Sequence, residues 1–247
     1  MPKPTVSRSG VSIRTRARDA RERLAGRSGR LVPPRRLQVT ADGDFVGTGD
    51  EFLSHLVSLC GLRPEHRVLD VGCGVGRLAR PLAGFLSIDG AYDGLDVDAD
   101  GIAWCRRRYH HLPHFHFTHA DLRSPRSNPA GAGDPLAFRF PYADGAFDVV
   151  VMLSVLAHMT PDEALHELGE ARRVLAPGGR LLATLYVAVA DASADASPPP
   201  EGVTVVEEEW LLETLRAAGL DLVALHPGRW SGREDGMSVQ DVVVGHA

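Results

Sequence analysis

The sequence predicts an α/β protein in which helices cover both faces of a mostly parallel, doubly wound sheet. Strand-like apolar runs alternate with helical patterns along most of the chain. One of these runs, residues 147–153, is almost wholly apolar, which is typical of a central parallel strand. The last two strand patterns are separated only by a loop of about twelve residues. We therefore expect a closing hairpin and an antiparallel last strand.

The elements follow from the spacing of apolar residues and from the residues that end each run. The first predicted helix, residues 50–60, has Asp50 near its cap, Phe52 and Leu56 on its apolar face, and Gly61 at its end. Seven strands are predicted, at residues 67–71, 92–97, 114–118, 147–153, 180–187, 220–226 and 239–245. The remaining helices are predicted at residues 76–86, 99–109, 161–175 and 207–218.

Proline and glycine set several of these boundaries. Pro161 suits the first turn of the helix at 161–175, and the Ala-Pro-Gly-Gly turn at 176–179 precedes the fifth strand. Two stretches rich in small residues and proline, 124–135 and 190–202, are predicted to be loops.

The composition is that of a globular chain with one core. The 247 residues are 44% hydrophobic and 24% charged. Because no apolar run reaches the ~20 residues of a membrane span, we expect no such span. Three scattered cysteines indicate no disulfide framework, so a cytoplasmic location is expected.

Charge divides the chain into two unequal parts. Residues 1–40 contain eleven Lys and Arg against two acids, whereas the remaining 207 residues contain sixteen Arg against thirty acids. A basic arm could bind nucleic acid or an acidic surface. It has few large apolar residues and no interleaved aromatic residues, which favours a solvated tail. We predict a basic, flexible arm over residues 1–37 and one folded domain over residues 38–247.

The most informative motif is the turn that follows the first strand, with Asp70 and then Gly72, Gly74 and Gly76. Alternating glycines allow positive φ angles and let a ligand approach the backbone closely. Asp70 would repel a pyrophosphate but can hold an ammonium group. A ligand with an amine and a carboxylate, such as S-adenosylmethionine, therefore suits this turn.

A nicotinamide dinucleotide site is the alternative. Residues 74–79 can be aligned with a G-x-G-x-x-A fingerprint, and Asp96 lies at a suitable distance for a ribose contact. The glycine motif alone does not separate the two ligands, so the remaining motifs have to decide.

Five motifs in order resemble class I S-adenosylmethionine-dependent methyltransferases, over about residues 45 to 247. They are Val68-Leu69-Asp70-Val71-Gly72-Cys73-Gly74-Val75-Gly76, Gly94-Leu95-Asp96-Val97-Asp98, Thr118-His119-Ala120-Asp121-Leu122, Phe147-Asp148-Val149-Val150-Val151-Met152-Leu153-Ser154-Val155-Leu156-Ala157-His158, and Leu175-Ala176-Pro177-Gly178-Gly179-Arg180-Leu181-Leu182. The resemblance implies a Rossmann-like sheet of seven strands and S-adenosylmethionine as the cofactor. The closing hairpin and the Pro-Gly-Gly turn favour this family over nicotinamide enzymes.

The resemblance also implies a cofactor site. Asp96 would accept the ribose hydroxyls, Asp121 with the Leu122 backbone would read the adenine, and the Leu153 carbonyl would accept from the methionine amine. The full set of expected cofactor-binding residues is Asp70, Gly72, Cys73, Gly74, Gly76, Asp96, Val97, Asp121, Leu122 and Leu153.

Three further groups of residues bear on the chemistry. His158 is the candidate base, because an imidazole can take a hydroxyl proton near neutral pH; a packing role beside the cofactor is the alternative. Arg229 and Trp230, in the last loop, are candidates for binding a polar acceptor. The histidines between 110 and 119 have no acid or cysteine that would complete a metal site, so no metal is expected.

We therefore expect an enzyme that methylates a small molecule, on a hydroxyl group. Two alternatives stay open: an RNA or protein methyltransferase guided by the basic arm, and a cofactor-binding protein without turnover. A small-molecule acceptor is preferred to nucleic acid, because the fourth strand ends in Ser154-Val155-Leu156-Ala157 and not in an Asn-Pro-Pro-Tyr type of motif. The oligomeric state is not predicted.

Overall fold

The computed structural model describes residues 31–38, 44–188 and 202–247, and this part of the chain folds around one mixed sheet. The sheet order is β3-β2-β1-β4-β5-β8-β7, with the short β6 paired to the end of β5. All pairs are parallel except those of β8, which runs antiparallel to both β5 and β7. The strands are β1 Arg67–Val71, β2 Ala91–Asp96, β3 Phe115–His119, β4 Phe147–Met152, β5 Leu175–Ala188, β6 Val205–Glu207, β7 Asp221–His226 and β8 Asp241–His246.

Five α-helices of the described residues cover the two faces of the sheet. They are α1 Phe45–Cys60, α2 Ala79–Phe85, α3 Ala99–Tyr109, α4 Pro161–Val174 and α5 Glu208–Ala217. The first three contribute to one hydrophobic cluster, and α4 and α5 contribute to a second cluster on the opposite face. This arrangement confirms the doubly wound α/β class and the antiparallel last strand. In the described residues no helix is both long enough and apolar enough to cross a membrane.

The prediction of seven strands was one strand short in the described residues. Val205–Glu207 forms β6, which pairs with residues 186–188 at the end of β5. A three-residue strand is too short to show a hydrophobic period. It pairs with residues 186–188 of β5, which follow the part of β5 that pairs with β8. The predicted 190–202 loop lies almost entirely outside the described residues.

The first helix begins five residues earlier than predicted. Asp44 is its N-cap, and its carboxylate accepts a hydrogen bond from Gly47 N at 2.8 Å. Glycine is a poor helix former, but Gly49 is needed here for packing: a Cβ there would lie 2.6 Å from the carbonyl oxygen of Arg77. Helix α1 therefore lies directly against the turn that follows β1.

Other boundaries moved by smaller amounts. Helix α2 begins at Ala79 and not at residue 76, because the glycine turn continues to Leu78. Strand β5 begins at Leu175 because this residue already pairs with Phe147 of β4; the register then shifts across the Pro-Gly-Gly segment, where Gly178 has φ +78°. Helix α4 has the predicted Pro161 in its first turn and a capping box in which Thr160 and Glu163 bond reciprocally.

Only the end of the predicted arm can be described. Residues 1–30 lie outside the described residues, so the flexible arm stays a prediction. Leu31, Val32 and Leu37 are partly buried against the α1–α3 cluster, and Arg35–Leu37 forms a single 3₁₀ turn. The packed part of the chain therefore begins before the predicted boundary at residue 38.

Candidate functional site

A cleft of about 590 Å³ lies along the carboxyl edge of the sheet. Parallel strands place the loops that follow them at this edge, and open α/β sheets bind ligands there. The loops after β1, β2, β3 and β4 contribute, together with Thr184 and Tyr186 of β5, and the start of α1 and the loop before β8 form further walls. Most of the predicted site residues line the cleft: Asp70, Gly72, Cys73, Gly74, Asp96, Val97, Leu122, Leu153, His158 and Arg229.

The glycine turn after β1 is held by β2. The amides of Gly72 and Cys73 both donate to the carbonyl of Leu95, at 2.8 and 3.2 Å. Gly72 has φ +76°, and a Cβ there would lie 2.4 Å from Val155 Cγ2. Gly74 has φ +54°, and a Cβ there would meet no atom within 4 Å, so its backbone faces open space in the cleft. This glycine surface is accessible to a ligand.

Gly76 has a different role from the other two glycines. It is not among the residues that line the cleft. A Cβ at this position would lie 3.2 Å from Cys105 Sγ and 3.3 Å from the Tyr109 hydroxyl. Gly76 therefore allows the turn to pack against α3.

Asp96, at the end of β2, organises the backbone around the cleft. One carboxylate oxygen accepts from Gly74 N at 2.6 Å, and the other accepts from Asp98 N at 2.7 Å. The side chain thus connects the glycine turn to the start of α3. A carboxylate offers about four lone-pair sites, so it can hold these two amides and also accept from a diol.

Asp70 is almost completely buried, and its exposed fraction is 2%. The Tyr92 hydroxyl donates to its carboxylate at 2.6 Å. Burial raises the pKa of Asp70 to about 7, while the Tyr92 hydrogen bond opposes that rise. A cation bound beside it would favour the ionised carboxylate, which agrees with the expected position of an ammonium group.

The two residues predicted to read the adenine are separated by the structure. Leu122 is buried and lines the cleft, but Asp121 is exposed and is not among the lining residues. The Asp121 carboxylate accepts from Asn128 Nδ2 at 3.0 Å, in the loop that follows β3. This bond was invisible in the sequence, because it depends on how the 122–138 loop folds back on itself.

A polar network that the sequence did not indicate lies where β4, β5 and β8 meet. Ser154 N donates to Thr184 Oγ1 at 2.8 Å, and both hydroxyls donate to Gln240 Oε1, at 2.5 and 2.7 Å. Ser154 has φ +59°, the only positive value among the described non-glycine residues. Such a conformation is costly and is often found at functional sites. Leu153, beside it, lines the cleft.

His158 ends a 3₁₀ turn between β4 and α4 and contacts two groups. Its Nδ1 lies 3.1 Å from the carbonyl of Gly202, and its Nε2 lies 3.1 Å from an Arg126 guanidinium nitrogen. A neutral imidazole with its proton on Nδ1 satisfies both contacts. Burial and the Arg126 charge lower the pKa of His158 below its ordinary value. The imidazole is therefore uncharged near neutral pH.

The two acceptor candidates in the last loop differ. Arg229 lines the cleft, and its guanidinium donates to the carbonyl of Gly236 at 2.9 Å. Trp230 is not among the lining residues; its indole N–H donates to the buried Asp241 carboxylate at 2.6 Å, and its ring lies edge-on to Tyr186. Trp230 therefore supports the wall formed by Tyr186 and does not itself line the cleft.

Glu167 is a lining residue that sequence reasoning missed. It lies on α4 between the core positions Ala164, Leu168 and Ala171, and its exposed fraction is 4%. An acid among helical core positions is the signal that could have identified it. Burial, with Glu170 and Glu163 nearby, raises its pKa to about 7.

The histidine-rich segment does not form a metal centre in the described residues. No group of three or more His, Cys, Asp or Glu side chains there could hold a metal ion. His116 lies 3.5 Å from Asp93, and His119 Nε2 contacts the carbonyl of Val97 at 3.2 Å. These contacts are local and separate.

The fold and the cleft define a nucleotide-cofactor domain of the doubly wound class, with the closing antiparallel hairpin that we expected. A sequence model described as "Methyltransferase domain" matches residues 69–181. The chain is 32% identical over 179 residues to 27-O-demethylrifamycin SV methyltransferase from Amycolatopsis mediterranei, covering 67% of this chain and 58% of that protein. It is 36% identical over 118 residues to fatty-acid O-methyltransferase from Mycolicibacterium smegmatis, covering 48% and 36%.

A solved structure agrees with the fold. A SAM-dependent methyltransferase from Aquifex aeolicus superposes with a TM-score of 0.56 at 19% identity, covering 80% of this chain and 88% of that one. The chain belongs to the class I S-adenosylmethionine-dependent methyltransferases, as the motifs predicted. It spans less than two thirds of the length of either curated relative.

The residues of the cleft fit this family's cofactor, S-adenosylmethionine. The open backbone at Gly74 provides the close approach, Asp70 is a buried acid beside it, and the Asp96 carboxylate can accept from a ribose diol. The family assignment selects S-adenosylmethionine over the nicotinamide alternative.

Proposed function

We propose that this chain transfers the methyl group of S-adenosylmethionine to a hydroxyl group of a small-molecule acceptor. The observation that supports this best is the extent of the cleft. Beyond the glycine turn it continues past His158 to Tyr186, Arg229 and Gln240, so one continuous space is available for a cofactor and an acceptor. The names of the two relatives, a 27-O-demethylrifamycin SV methyltransferase and a fatty-acid O-methyltransferase, support oxygen as the acceptor atom.

The protein's part in this reaction is mainly positioning. When bound, S-adenosylmethionine supplies a methyl group on a sulfonium, which an aligned nucleophile displaces without a metal. The Gly72–Gly74 backbone and Asp96 would fix the donor, and the walls of the cleft would exclude water. Alignment of this kind can lower a barrier by about 7–11 kcal/mol in favourable cases.

His158 is the group that we propose to remove the acceptor's hydroxyl proton. Its Nδ1–H bond to Gly202 orients the ring and leaves the lone pair on Nε2. In the structure Nε2 accepts from Arg126, so Arg126 has to release it before Nε2 can take a proton. The lowered pKa of His158 keeps Nε2 unprotonated near neutral pH. A base in this position typically contributes about 10²–10⁴ in rate.

The substrate class can be tested by following which molecules receive a labelled methyl group. The purified chain is incubated with methyl-labelled S-adenosylmethionine and, separately, with a small-molecule extract, total RNA and total protein of a bacterial lysate. We expect base-stable label in the small-molecule fraction, lost in Asp96→Ala. Label in RNA or protein would contradict the proposal and favour the alternative of an arm-guided macromolecular methyltransferase.

We also propose a cytoplasmic location, as the sequence suggested. Cys60, Cys73 and Cys105 are all unpaired and buried. A chain that keeps buried thiols is compatible with a reducing compartment. Fractionation of the source cells would test this, and recovery with the extracellular or envelope fraction would contradict it.

A further inference from the structure

The Gln240 side chain, in the loop before β8, uses only one end of its amide within the described part of the chain. Its Oε1 accepts from Ser154 Oγ at 2.5 Å and from Thr184 Oγ1 at 2.7 Å. No described residue accepts a hydrogen bond from its Nε2, which carries two N–H donors. Because Gln240 lines the cleft, these donors are available to a molecule bound there.

The two hydroxyls determine which end of the amide faces them. Thr184 is buried, with an exposed fraction of 1%, so its hydroxyl proton needs an acceptor. Its Oγ1 accepts from Ser154 N at 2.8 Å, and its own proton goes to Gln240 Oε1. An amide nitrogen could not accept this proton. The network therefore turns Oε1 towards Thr184 and leaves Nε2 for another partner.

The backbone beside Gln240 is also held in place. The next residue, Asp241, is buried, and its carboxylate accepts hydrogen bonds at 2.7, 2.7 and 2.6 Å from Val187 N, Gly228 N and Trp230 Nε1. A donor that is already fixed loses little conformational freedom when a ligand binds, so more of its hydrogen bond contributes to affinity. The Gln240 amide is thus arranged to bind before any ligand arrives.

The position of Gln240 along the sheet indicates which ligand it meets. In the order β2-β1-β4-β5-β8, Asp96 ends β2, the glycine turn follows β1, and Gln240 directly precedes β8. Neighbouring strands lie about 4.8 Å apart, so β5 and β8 are about 10–14 Å from β1, on the side away from Asp96. With the cofactor's ribose at Asp96 and its methionine end at the glycine turn, Gln240 lies at the acceptor end of the cleft. Tyr186 of β5 also lines the cleft at this end.

We propose that Gln240 selects the acceptor, by donating a hydrogen bond from Nε2 to an oxygen atom of that molecule. This atom is a carbonyl, ether or second hydroxyl oxygen, distinct from the hydroxyl that is methylated. A donor on the reacting oxygen would occupy the lone pair that attacks the methyl group, whereas a donor on another oxygen only orients the molecule. Ser154 and Thr184 are positioning residues that hold the amide. This inference rests on the proposed function and narrows the substrate class to molecules with at least two oxygen groups.

Two substitutions separate the donor from the rest of the amide. Gln240→Glu keeps an oxygen for both hydroxyls and replaces Nε2 by a second oxygen, so it removes the donor. Gln240→Met removes the whole amide and keeps a similar length. The control, Glu234→Gln, changes an exposed residue of the same loop that does not line the cleft.

The assay measures methyl transfer at saturating labelled S-adenosylmethionine. The probe is the chromatographic fraction of a bacterial small-molecule extract that receives label from the wild type, added in increasing amounts. Each protein is also titrated calorimetrically with S-adenosylhomocysteine, which reports on the cofactor site alone.

We expect the half-saturating amount of the fraction to rise about tenfold or more in both Gln240 variants, because a hydrogen bond to the acceptor is lost. Affinity for S-adenosylhomocysteine should match the wild type in all variants, and the control should saturate as the wild type does. Unchanged saturation in the Gln240 variants would overturn the inference, and so would an effect confined to Gln240→Glu, which would reflect only the added charge.

Weaker binding of S-adenosylhomocysteine in the Gln240 variants would place the amide against the methionine carboxylate or in support of the whole site, and would likewise overturn the inference. A wild type that binds S-adenosylhomocysteine but labels no small molecule would instead overturn the proposed function, and this inference with it.

Discussion

Replacing Glu167 by glutamine should change how the stability of this protein depends on pH. The side chain is 4% exposed, and its pKa is raised from the usual 4.5 to about 7 by burial and by two neighbouring acids. The folded state therefore holds a proton between these pH values that the unfolded state releases. The stabilisation from this group is complete below pH 4.5 and is lost as pH rises to about 7.

The size of the effect follows from the same two pKa values. Each pKa unit corresponds to about 1.4 kcal/mol, so the wild type should lose about 3 kcal/mol relative to Glu167→Gln across this interval. Burial also raises the pKa of Asp70 to about 7, and this residue is present in both proteins. The effect of Glu167 is therefore the difference between their two free energies of unfolding at each pH.

Urea unfolding at pH values from about 4.5 to about 8 measures this difference. We expect Glu167→Gln to match the wild type in free energy of unfolding at the acidic end and to exceed it above pH 7. The matched control, Asp162→Asn, removes an exposed acid from the same helix and should keep the wild-type slope. Parallel curves for the wild type and Glu167→Gln would refute the claim that burial raises the pKa of this carboxyl.

Three further outcomes follow from the contacts of the site. Asp96→Ala removes the acceptor of Gly74 N, so we expect S-adenosylhomocysteine to bind about 10–100-fold more weakly by calorimetry; an unchanged constant would remove Asp96 from the site. Trp230→Phe removes one of the two donors to Asp241 Oδ2, the other being Val187 N, and should lower the free energy of unfolding by about 1–3 kcal/mol, the range for a hydrogen bond to a charged group, with cofactor affinity retained. A selective loss of acceptor binding would instead return Trp230 to the site. His158→Ala should reduce turnover about 10²–10⁴-fold with cofactor affinity preserved, and a parallel loss of both would indicate a packing role.

Most of the fold was predictable because it depends on local patterns. The apolar strands, the helical spacing and the turn residues predicted the main strands and helices along the chain and the antiparallel last strand. Errors occurred where tertiary contacts decide: the close approach of Gly49 to the Arg77 carbonyl places a glycine inside α1, and the pairing of Val205–Glu207 with β5 forms a strand too short to predict.

The site residues that could be predicted are those at the ends of strands. Asp70 and Asp96 lie near the ends of apolar strands, and the order of the motifs along the chain was enough to predict both as site residues. Both line the cleft. Asp121 and Trp230 were also predicted as site residues, but their side chains bond to Asn128 and Asp241 through loop conformations that the sequence does not reveal. Glu167 was missed because its neighbours suggested only the buried face of a helix.

The most direct test of the cofactor assignment is a calorimetric titration of the wild-type chain with S-adenosylmethionine and, separately, with NAD. We predict saturable binding of S-adenosylmethionine at one site per chain, and no heat of binding with NAD. Binding of NAD without S-adenosylmethionine would contradict the assignment of the cleft, and the proposed methyl transfer would fall with it.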